Sequence, residues 1–325
     1  MTVVTYRQAI TRGIADALSA DDDVFLFGED VARAGGAFKT TDGIWEQFGD
    51  ARVLDTPISE QAIVGTAIGA AIRGLRPLAE VMFADFAAVC FDGIVNELAK
   101  YRYMTGGQVT CPVTIHMANG AGTGFGAQHS QPAENWFLNT PGLKVVVPAT
   151  VTDAYALMRA AVEDDDPVLY FEHKGLFGMR GELPDDVPRV ELGVAETVRS
   201  GEHVTVVATQ QMRHRALAAA EQLAEEGVEV ELIDPRTLVP FDHATVRASL
   251  ERTNRLLVVQ EGSAGGSWGG TLITHVLQEG FELLDAPPLL VCSDETPVPY
   301  AGPLEAAWLP TVERIADAIR RTARY

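Results

Sequence analysis

Glu60 stands at the start of a segment that otherwise carries almost no charge. The stretch 55–74 reads "DTPISEQAIVGTAIGAAIRG", and residues 62–72 contain no charged side chain. A helix that is apolar all round is buried or lies in an interface, and Gly65 and Gly69, four residues apart, let another backbone approach closely. Ser59 is predicted as the N-cap, and Glu60 either only favours the helix start or is a buried acid that needs a partner.

His129 is the second residue that could do chemistry. It follows a glycine-rich run in "GAQHSQPAENW" (126–136) and precedes Pro132, where no regular element is expected to begin. An imidazole titrates near neutral pH and can act as a general acid or base. The local pattern leaves two interpretations, a solvated loop residue or a catalytic group that the loop presents.

Two glycine motifs match known patterns, but their context argues against both. The loop "GAGTGFGA" (120–127) contains a relaxed dinucleotide-binding pattern, yet "QHSQP" replaces the expected helix and no acid for a ribose hydroxyl occurs between Glu134 and Asp153. "GGSWG" (265–269) fits a serine nucleophile elbow, but the last histidine, His275, lies within the next predicted helix. We therefore predict neither NAD binding nor serine hydrolysis.

Metal and phosphate motifs are missing from the sequence. The seven histidines show no H-E-x-x-H or i, i+4 pair, and there is no Walker A sequence. There is also no G-D-G segment followed by asparagine, the pattern that holds magnesium diphosphate in thiamine enzymes. If the protein uses that cofactor, another chain must hold its diphosphate.

Short β-branched runs alternate with helical patterns along the chain. Strands are predicted at 24–28, 77–83, 112–117, 143–148, 167–172, 204–209, 228–233, 256–261 and 289–293. Helices are predicted near 62–73, 87–103, 152–164, 211–226, 242–252, 268–280 and 310–324. This alternation favours an α/β fold over a sandwich. Since 325 residues exceed one usual core and a polar stretch interrupts the rhythm at 180–193, we predict two doubly wound domains, 1–185 and 186–325.

Composition excludes several classes of function. The net charge of −20 with no long Lys/Arg cluster argues against nucleic-acid binding. Three widely spaced cysteines without a CxxC pair suggest free thiols in a reducing compartment. No signal peptide and no apolar run of membrane-spanning length is seen. We therefore expect a cytoplasmic protein.

A family resemblance rests on several motifs in order. These are "GEDV" (28–31), the long stretch 35–77, "FADF" (83–86), "KYRYMTGG" (100–107), "AQHSQ" (127–131), "PGLKVVVP" (141–148), "DDDPVLYFEHK" (164–174) and "LEAAWLPTVERIADAIR" (304–320). Together they resemble the β subunit of thiamine-diphosphate-dependent 2-oxo acid and acetoin dehydrogenases, over essentially the whole chain. The resemblance implies a thiamine pyrimidine-binding domain at 1–185 and a transketolase C-terminal-like domain at 186–325.

The resemblance also implies an assembly of two α and two β chains, with thiamine diphosphate between unlike subunits. The α chain would hold magnesium and the diphosphate, which explains the missing G-D-G motif. Glu60 matches the glutamate that hydrogen-bonds the pyrimidine nitrogen N1′, where proton sharing favours the imino form that activates the thiazolium C2. Ile58 and Met82 match positions that line the pyrimidine, and Phe86 matches an aromatic residue that stacks on it.

Further residues are implied by the same resemblance. His129 matches a histidine near the cofactor C2 that stabilises or protonates intermediates and aids acyl transfer to a lipoyl group. Glu29 aligns with a carboxylate at the subunit junction. Asp164 aligns with a potassium-site residue, together with backbone oxygens near Ala161 and Asp166; a plain acidic helix end is the alternative.

The resemblance thus implies a subunit that decarboxylates or cleaves a 2-oxo acid or acetoin and passes the acyl unit to lipoamide on a partner acyltransferase. The motifs are closer to pyruvate and acetoin members than to branched-chain members. One alternative is an acyloin-forming or transketolase-like carboligase without a lipoyl partner. Another is a non-catalytic β-like subunit, which the presence of both Glu60 and His129 disfavours.

Overall fold

Two units, each with its own hydrophobic core, make up the chain. The computed structural model describes residues 2–325. The first unit comprises the residues up to Asn119 together with Trp136–Leu192, and the second comprises Gly120–Asn135 and Gly193–Tyr325. The segment that carries His129 therefore clusters with the second unit, although it lies in the sequence between parts of the first.

The first unit is built on a parallel sheet. Its strands are β1 (Thr2–Thr5), β2 (Val24–Gly28), β3 (Val53–Asp55), β4 (Arg76–Phe83), β5 (Thr114–Asn119), β6 (Lys144–Val146), β7 (Val168–His173) and β8 (Arg180–Leu183). Six of them lie in the order β6-β7-β5-β4-β2-β3, with every adjacent pair parallel. β1 and β8 form a separate antiparallel pair. Because the carboxyl ends of parallel strands share one edge, residues after β2, β3 and β4 lie close together.

Helices cover the sheet of the first unit. The α-helices are α1 (Tyr6–Ala20), α2 (Ile44–Phe48), α3 (Glu60–Ile72), α4 (Tyr101–Met104) and α5 (Val151–Glu163). Short helices of other types are Ala84–Ala88, Gly93–Leu98 and Lys174–Leu176. A further 3₁₀ turn, Ala133–Phe137, contains residues assigned to each of the two units. Two of these helices have side-chain N-caps: Thr5 and Gln8 form a capping box on α1, and Thr150 caps α5. The core includes Tyr6, Ile10, Ile14, Leu26, Leu78, Met158 and Tyr170, all buried.

The continuous helix predicted over 87–103 is wrong. The segment instead forms a 3₁₀ turn, a π-helix at Gly93–Leu98 and the short α4. In the π-helix the N–H of Ala99 donates to the carbonyl of Ile94, five residues back, at 3.1 Å. Gly93 lies against α3, where an added Cβ would come within 3.0 Å of the side chain of Val64. Packing against α3 therefore overrides the regular helical pattern.

The second unit has a five-stranded sheet in the order β14-β13-β10-β11-β9. The strands of this sheet are β9 (Glu196–Arg199), β10 (Val204–Ala208), β11 (Val230–Asp234), β13 (Leu256–Val259) and β14 (Leu289–Val291). The short strand β12 (Thr237–Val239) is not part of it. Only β9 in this sheet runs antiparallel to its neighbour. The helices are α6 (Gln210–Ala224), α7 (His243–Thr253), α8 (Trp268–Glu279), the 3₁₀ turn Phe281–Leu283, α9 (Gly302–Trp308) and α10 (Val312–Ala323).

The prediction of a two-part α/β protein with mostly parallel sheets is confirmed by this architecture. The second core packs Val206, Leu232, Leu257, Trp308 and Ile315 between its sheet and helices.

Among residues 2–325, no helix combines the length and the apolar character needed to cross a membrane.

Candidate active site

Glu60 and Glu29 lie at the carboxyl edge of the first unit's sheet. Glu60 is the first residue of α3, which follows β3, and Glu29 comes directly after β2. Each is 8% exposed. Burial, the negative charge of Glu60 and then that of Asp30 raise the pKa of Glu29. The two carboxyl groups are therefore close enough to interact, and Glu29 retains its proton to higher pH than an ordinary glutamate.

The carboxylate of Glu60 accepts no hydrogen bond from any of the residues 2–325. Ser59 occupies the N-cap position of α3, but its side chain makes no capping hydrogen bond. Cys90 is another neighbour: burial, followed by the charge of Glu60, raises the pKa of its thiol to about 12. Glu60 is largely buried, but its carboxylate oxygens are not among the fully enclosed polar atoms without a partner, so a donor from outside the chain can reach them. The described residues of this chain themselves supply no hydrogen-bond donor to the carboxylate.

The other residues predicted for the pyrimidine lie on the same edge of the sheet. Ile58 precedes α3 and is 82% exposed, a high value for an isoleucine. Met82 is near the end of β4, and Phe86 is in the 3₁₀ turn that follows it; both are half-buried. Phe86 packs edge-on against Phe83, with ring centroids 5.4 Å apart. An apolar surface thus adjoins the two carboxyl groups.

His129 belongs to the second unit and lies in a loop made by left-handed glycines. The glycines with positive φ are Gly120, Gly122, Gly124 and Gly126. The N–H groups of Gly122 and Gly124 donate to the carboxylate of Glu305, at 2.8 Å and 3.0 Å, and the N–H of Ala121 donates to Glu261 at 2.6 Å. Backbone that alternates in this way forms an anion-binding nest. The anion that this nest binds is the side chain of Glu305 from the same chain.

His129 itself is half-buried, and its N–H donates to the carbonyl of Gly126 at 3.3 Å. It is not a fully solvated loop residue. The elbow-like motif at 265–269 is structural: Ser267 is the N-cap of α8, accepts from the N–H of Gly270 and donates its hydroxyl to the carbonyl of Ala264. The prediction against serine hydrolysis agrees with this geometry.

The residues proposed for potassium are engaged by cations of the chain. Lys144 Nζ lies 2.6 Å from both carboxylate oxygens of Asp164 and 3.6 Å from Oδ2 of Asp166. Arg102 also bonds to Asp166, and the carbonyl of Ala161 accepts the N–H of Asp164. An ammonium group therefore lies beside both carboxylates that the potassium prediction named. Because both carboxylates already have cationic partners, these contacts favour the acidic-helix-end alternative over a potassium site.

A buried polar cluster in the first unit was missed by reasoning from sequence. His116 Nδ1 lies 2.6 Å from Glu172 Oε1, and its Nε2 lies 3.6 Å from Glu80 Oε2. The hydroxyl of Thr40 donates to Glu80 at 3.3 Å. The available signal was a charged or imidazole side chain inside otherwise apolar strands, where such residues are rarely buried without partners.

The pKa values of Glu80 and His116 in this cluster are raised. Burial, partly offset by His116, raises the pKa of Glu80 to about 7, and Glu172 and Glu29 contribute in the same direction as burial. Burial alone would lower the pKa of His116, but the charges and hydrogen bond of Glu172 and the charge of Glu80 make the net shift upward. Because Glu29 interacts with both Glu60 and Glu80, the cluster is electrostatically connected to the sheet edge.

Comparisons with known proteins agree with this fold. The family described as "Transketolase, pyrimidine binding domain" matches residues 2–179, and "Transketolase, C-terminal domain" matches residues 193–315. The β subunit of acetoin:2,6-dichlorophenolindophenol oxidoreductase from Bacillus subtilis is 43% identical, covering 97% of this chain and 96% of that protein. The β subunit of the pyruvate dehydrogenase E1 component from Rickettsia conorii is 40% identical, covering 99% of each.

A solved structure described as "Split gene transketolase, inactive beta4 tetramer" has a TM-score of 0.81 to this chain. The match covers 99% of this chain and 98% of that chain, at 24% sequence identity. This likeness supports the fold. The chain belongs to the family of β subunits of thiamine-diphosphate-dependent 2-oxo acid and acetoin dehydrogenases. It is accordingly a subunit of an oxidoreductase.

Proposed function

We propose that this chain forms, with an α subunit, an enzyme that decarboxylates pyruvate or cleaves acetoin and transfers the acyl group to lipoamide on a partner acyltransferase. The observation that carries the proposal is the buried Glu60 carboxylate, which accepts no hydrogen bond within residues 2–325. The relatives named as acetoin and pyruvate dehydrogenase β subunits support these two substrates. The three free cysteines are consistent with a cytoplasmic enzyme.

The residues at the sheet edge fit the aminopyrimidine ring of thiamine diphosphate. A ring nitrogen could pair with Glu60, while the half-buried Met82 and Phe86 and the exposed Ile58 offer apolar surface for the ring faces. Such a combination of a few polar groups with apolar walls is typical of cofactor sites. We infer that residues 1–185 act as the pyrimidine-binding domain and 186–325 as the transketolase C-terminal-like domain.

Thiamine diphosphate, when bound, would supply a nucleophilic thiazolium carbon and a ring that can accept the electron pair of the substrate C–C bond that is broken. Glu60 would hold the pyrimidine ring by sharing a proton with its nitrogen N1′, which would control the basicity of the ring. Glu29, whose pKa is raised by burial and by Glu60, takes up a proton more readily than an ordinary glutamate does. His129 supplies an imidazole that can act as a general acid or base.

The α subunit is proposed to hold magnesium and the diphosphate. This chain lacks the G-D-G pattern for that task. It also presents an uncharged face of α3 that the monomer leaves open. Gln61, Ala62, Gly65, Thr66, Gly69 and Ile72 are exposed on α3. A partner helix could approach closely over Gly65 and Gly69, because nothing lies within 4 Å of a Cβ added to either.

The variant Glu60→Gln tests the proposed role of the Glu60 carboxylate. An amide cannot share the N1′ proton as a carboxylate does, so activity with 2,6-dichlorophenolindophenol as electron acceptor should fall at least about 100-fold in the assembled α–β enzyme. The assay is run with pyruvate and with acetoin, because the artificial acceptor makes the acyltransferase unnecessary. Glu46→Gln, at an exposed glutamate of α2, is the matched control and should leave activity unchanged. Near wild-type activity of Glu60→Gln would show that the proposed role is wrong.

A further inference from the structure

We propose that Glu305 and Glu261 are positioning residues for His129: their carboxylates fix the loop Gly120–Gly126, which presents the imidazole. The proposal rests on the catalytic role of His129 in the proposed function. It concerns residues of the second unit only.

Glu305 is a buried carboxylate whose hydrogen-bond donors are backbone N–H groups. It is 4% exposed, lies in α9, and makes no ion pair within residues 2–325. Gly122 N–H donates to Oε1 at 2.8 Å, and Gly124 N–H reaches Oε1 at 3.2 Å and Oε2 at 3.0 Å. A buried charge without an ion-pair partner depends on such donors, so the loop and the carboxylate stabilise each other.

The alternation of φ along the loop is what turns these donors to one side. Of residues 120–126, only the four glycines have positive φ. Successive N–H groups in this arrangement converge on an anion. Glycine adopts positive φ without the steric cost that a Cβ brings, so glycines at these four positions permit the arrangement, and a larger residue there would strain it.

Further contacts hold the loop and the residues after His129 on the same unit. A Cβ added to Gly126 would lie 3.4 Å from the ring of Tyr300, so the backbone there rests on that residue. Pro132 is packed against Gly262, where a Cβ would come within 2.6 Å of the proline ring. The amide oxygen of Asn135 accepts the N–H of Trp268 at 2.9 Å. His129 therefore lies on a segment that is held on both sides.

Glu261 anchors the beginning of the loop. It is 8% exposed, and it accepts the N–H of Ala121 at 2.6 Å. The charge of Glu261 opposes the burial-driven lowering of the pKa of Arg215, so a guanidinium lies nearby. With Arg215 as a counter-charge, Glu261 holds the first turn of the loop while Glu305 holds its middle.

Two variants test the two parts of the nest, which are the carboxylate that it binds and the glycine backbone that forms it. Glu305→Gln replaces an acceptor-only group by an amide whose NH₂ would face backbone N–H groups. Gly124→Ala keeps Glu305 but introduces a side chain at φ +75°, in open space where no clash occurs. Gly227→Ala, at φ +80° in open space after α6, imposes the same backbone strain elsewhere. Glu221→Gln, at an exposed glutamate of α6, is the control for charge loss.

Amide hydrogen exchange of the peptide 119–129 is measured first, in the assembled α–β enzyme. Glu305→Gln and Gly124→Ala should each exchange about 10-fold faster there, because the lost hydrogen bonds permit local opening. The two controls should match the wild type in this peptide. Unchanged exchange in both nest variants would overturn the proposed anchoring without affecting the proposed function.

Activity then tests whether anchoring positions His129. Each nest variant should lower kcat about 10- to 100-fold while the KM for substrate changes less than about threefold. Adding Glu305→Gln to His129→Asn should cost less than about threefold more, since the histidine is already lost. Full multiplication of the two effects would overturn the positioning role. If His129→Asn alone retains activity, the proposed role of His129 fails, and the exchange measurement still reports on the nest.

Discussion

Glu80 lies in β4 among apolar side chains and is 6% exposed. In these surroundings the ionised form is disfavoured, and the carboxyl group retains a proton up to a pH of about 7. His116 lies between Glu80 and Glu172 and offers the positive charge that the two carboxylates need. The cluster therefore links the stability of the first unit to pH.

The pH dependence of stability is expected to reflect Glu80. Its pKa rises from 4.5 to about 7 on folding, so the folded state binds more protons between these values. The contribution of Glu80 to the free energy of unfolding is therefore largest below about pH 4.5 and is lost as the pH rises through about 7. His116 acts in the same direction, because its pKa is also raised. Urea unfolding of Glu80→Gln at pH 5, 6 and 7 should show a weaker decline than the wild type. An identical decline in both proteins would contradict this assignment, and Glu46→Gln is the control.

Lys144 is expected to make the chain independent of potassium. Because its ammonium group contacts both oxygens of Asp164, replacing potassium chloride by choline chloride should leave the melting temperature unchanged. Lys144→Met should lower stability by about 1–3 kcal/mol, since it leaves a largely buried carboxylate without this partner. A potassium-dependent melting temperature of the wild-type protein would contradict the interpretation.

At the scale of elements, α3 has two different faces. Ile63, Val64, Ala67, Ile68 and Ala71 are buried against the first unit, whereas the opposite face is uncharged and exposed. Glycine in a helix interior is unfavourable by about 1 kcal/mol relative to alanine. Two open glycines on one face are therefore a cost to the isolated chain, which close approach of a partner helix would offset.

Gly65→Ala separates stability from assembly. The melting temperature of the purified chain should rise, corresponding to about 1 kcal/mol, because nothing lies within 4 Å of the new Cβ. Assembly with the α subunit, followed by analytical ultracentrifugation, should weaken because the methyl group occupies the approach surface. Thr66→Ala is the matched control on the same face: it favours the helix without adding atoms. Wild-type assembly of Gly65→Ala would remove α3 from the proposed interface.

At the scale of the whole molecule, the chain contains only part of the groups that a thiamine enzyme requires. Its two units have separate cores, and its sequence matches two transketolase domains, the pyrimidine-binding and the C-terminal. The diphosphate-binding pattern is absent from its sequence. Catalysis is therefore proposed to depend on a second polypeptide.

Calorimetric titration can check this dependence. The purified chain should bind magnesium thiamine diphosphate weakly, since it offers mainly the pyrimidine contacts. Tight binding and activity should appear on addition of the α subunit and saturate at one α chain per β chain, because the complete site stabilises the assembly. Tight binding by this chain alone would contradict the shared-site arrangement.

Sequence patterns alone determined the α/β class, the parallel strands and the candidate residues Glu60 and His129, because these depend on local periodicity and on motifs read in order. The tertiary structure decided which distant groups form hydrogen bonds and ion pairs. Gly122 and Glu305 are 183 residues apart in sequence yet hydrogen-bonded, and Lys144 meets Asp164 at the end of α5. It also decided that the segment after β4 forms a π-helix rather than a continuous α-helix. A local pattern indicates which side chains need a partner, but only packing brings a distant carboxylate to a glycine loop.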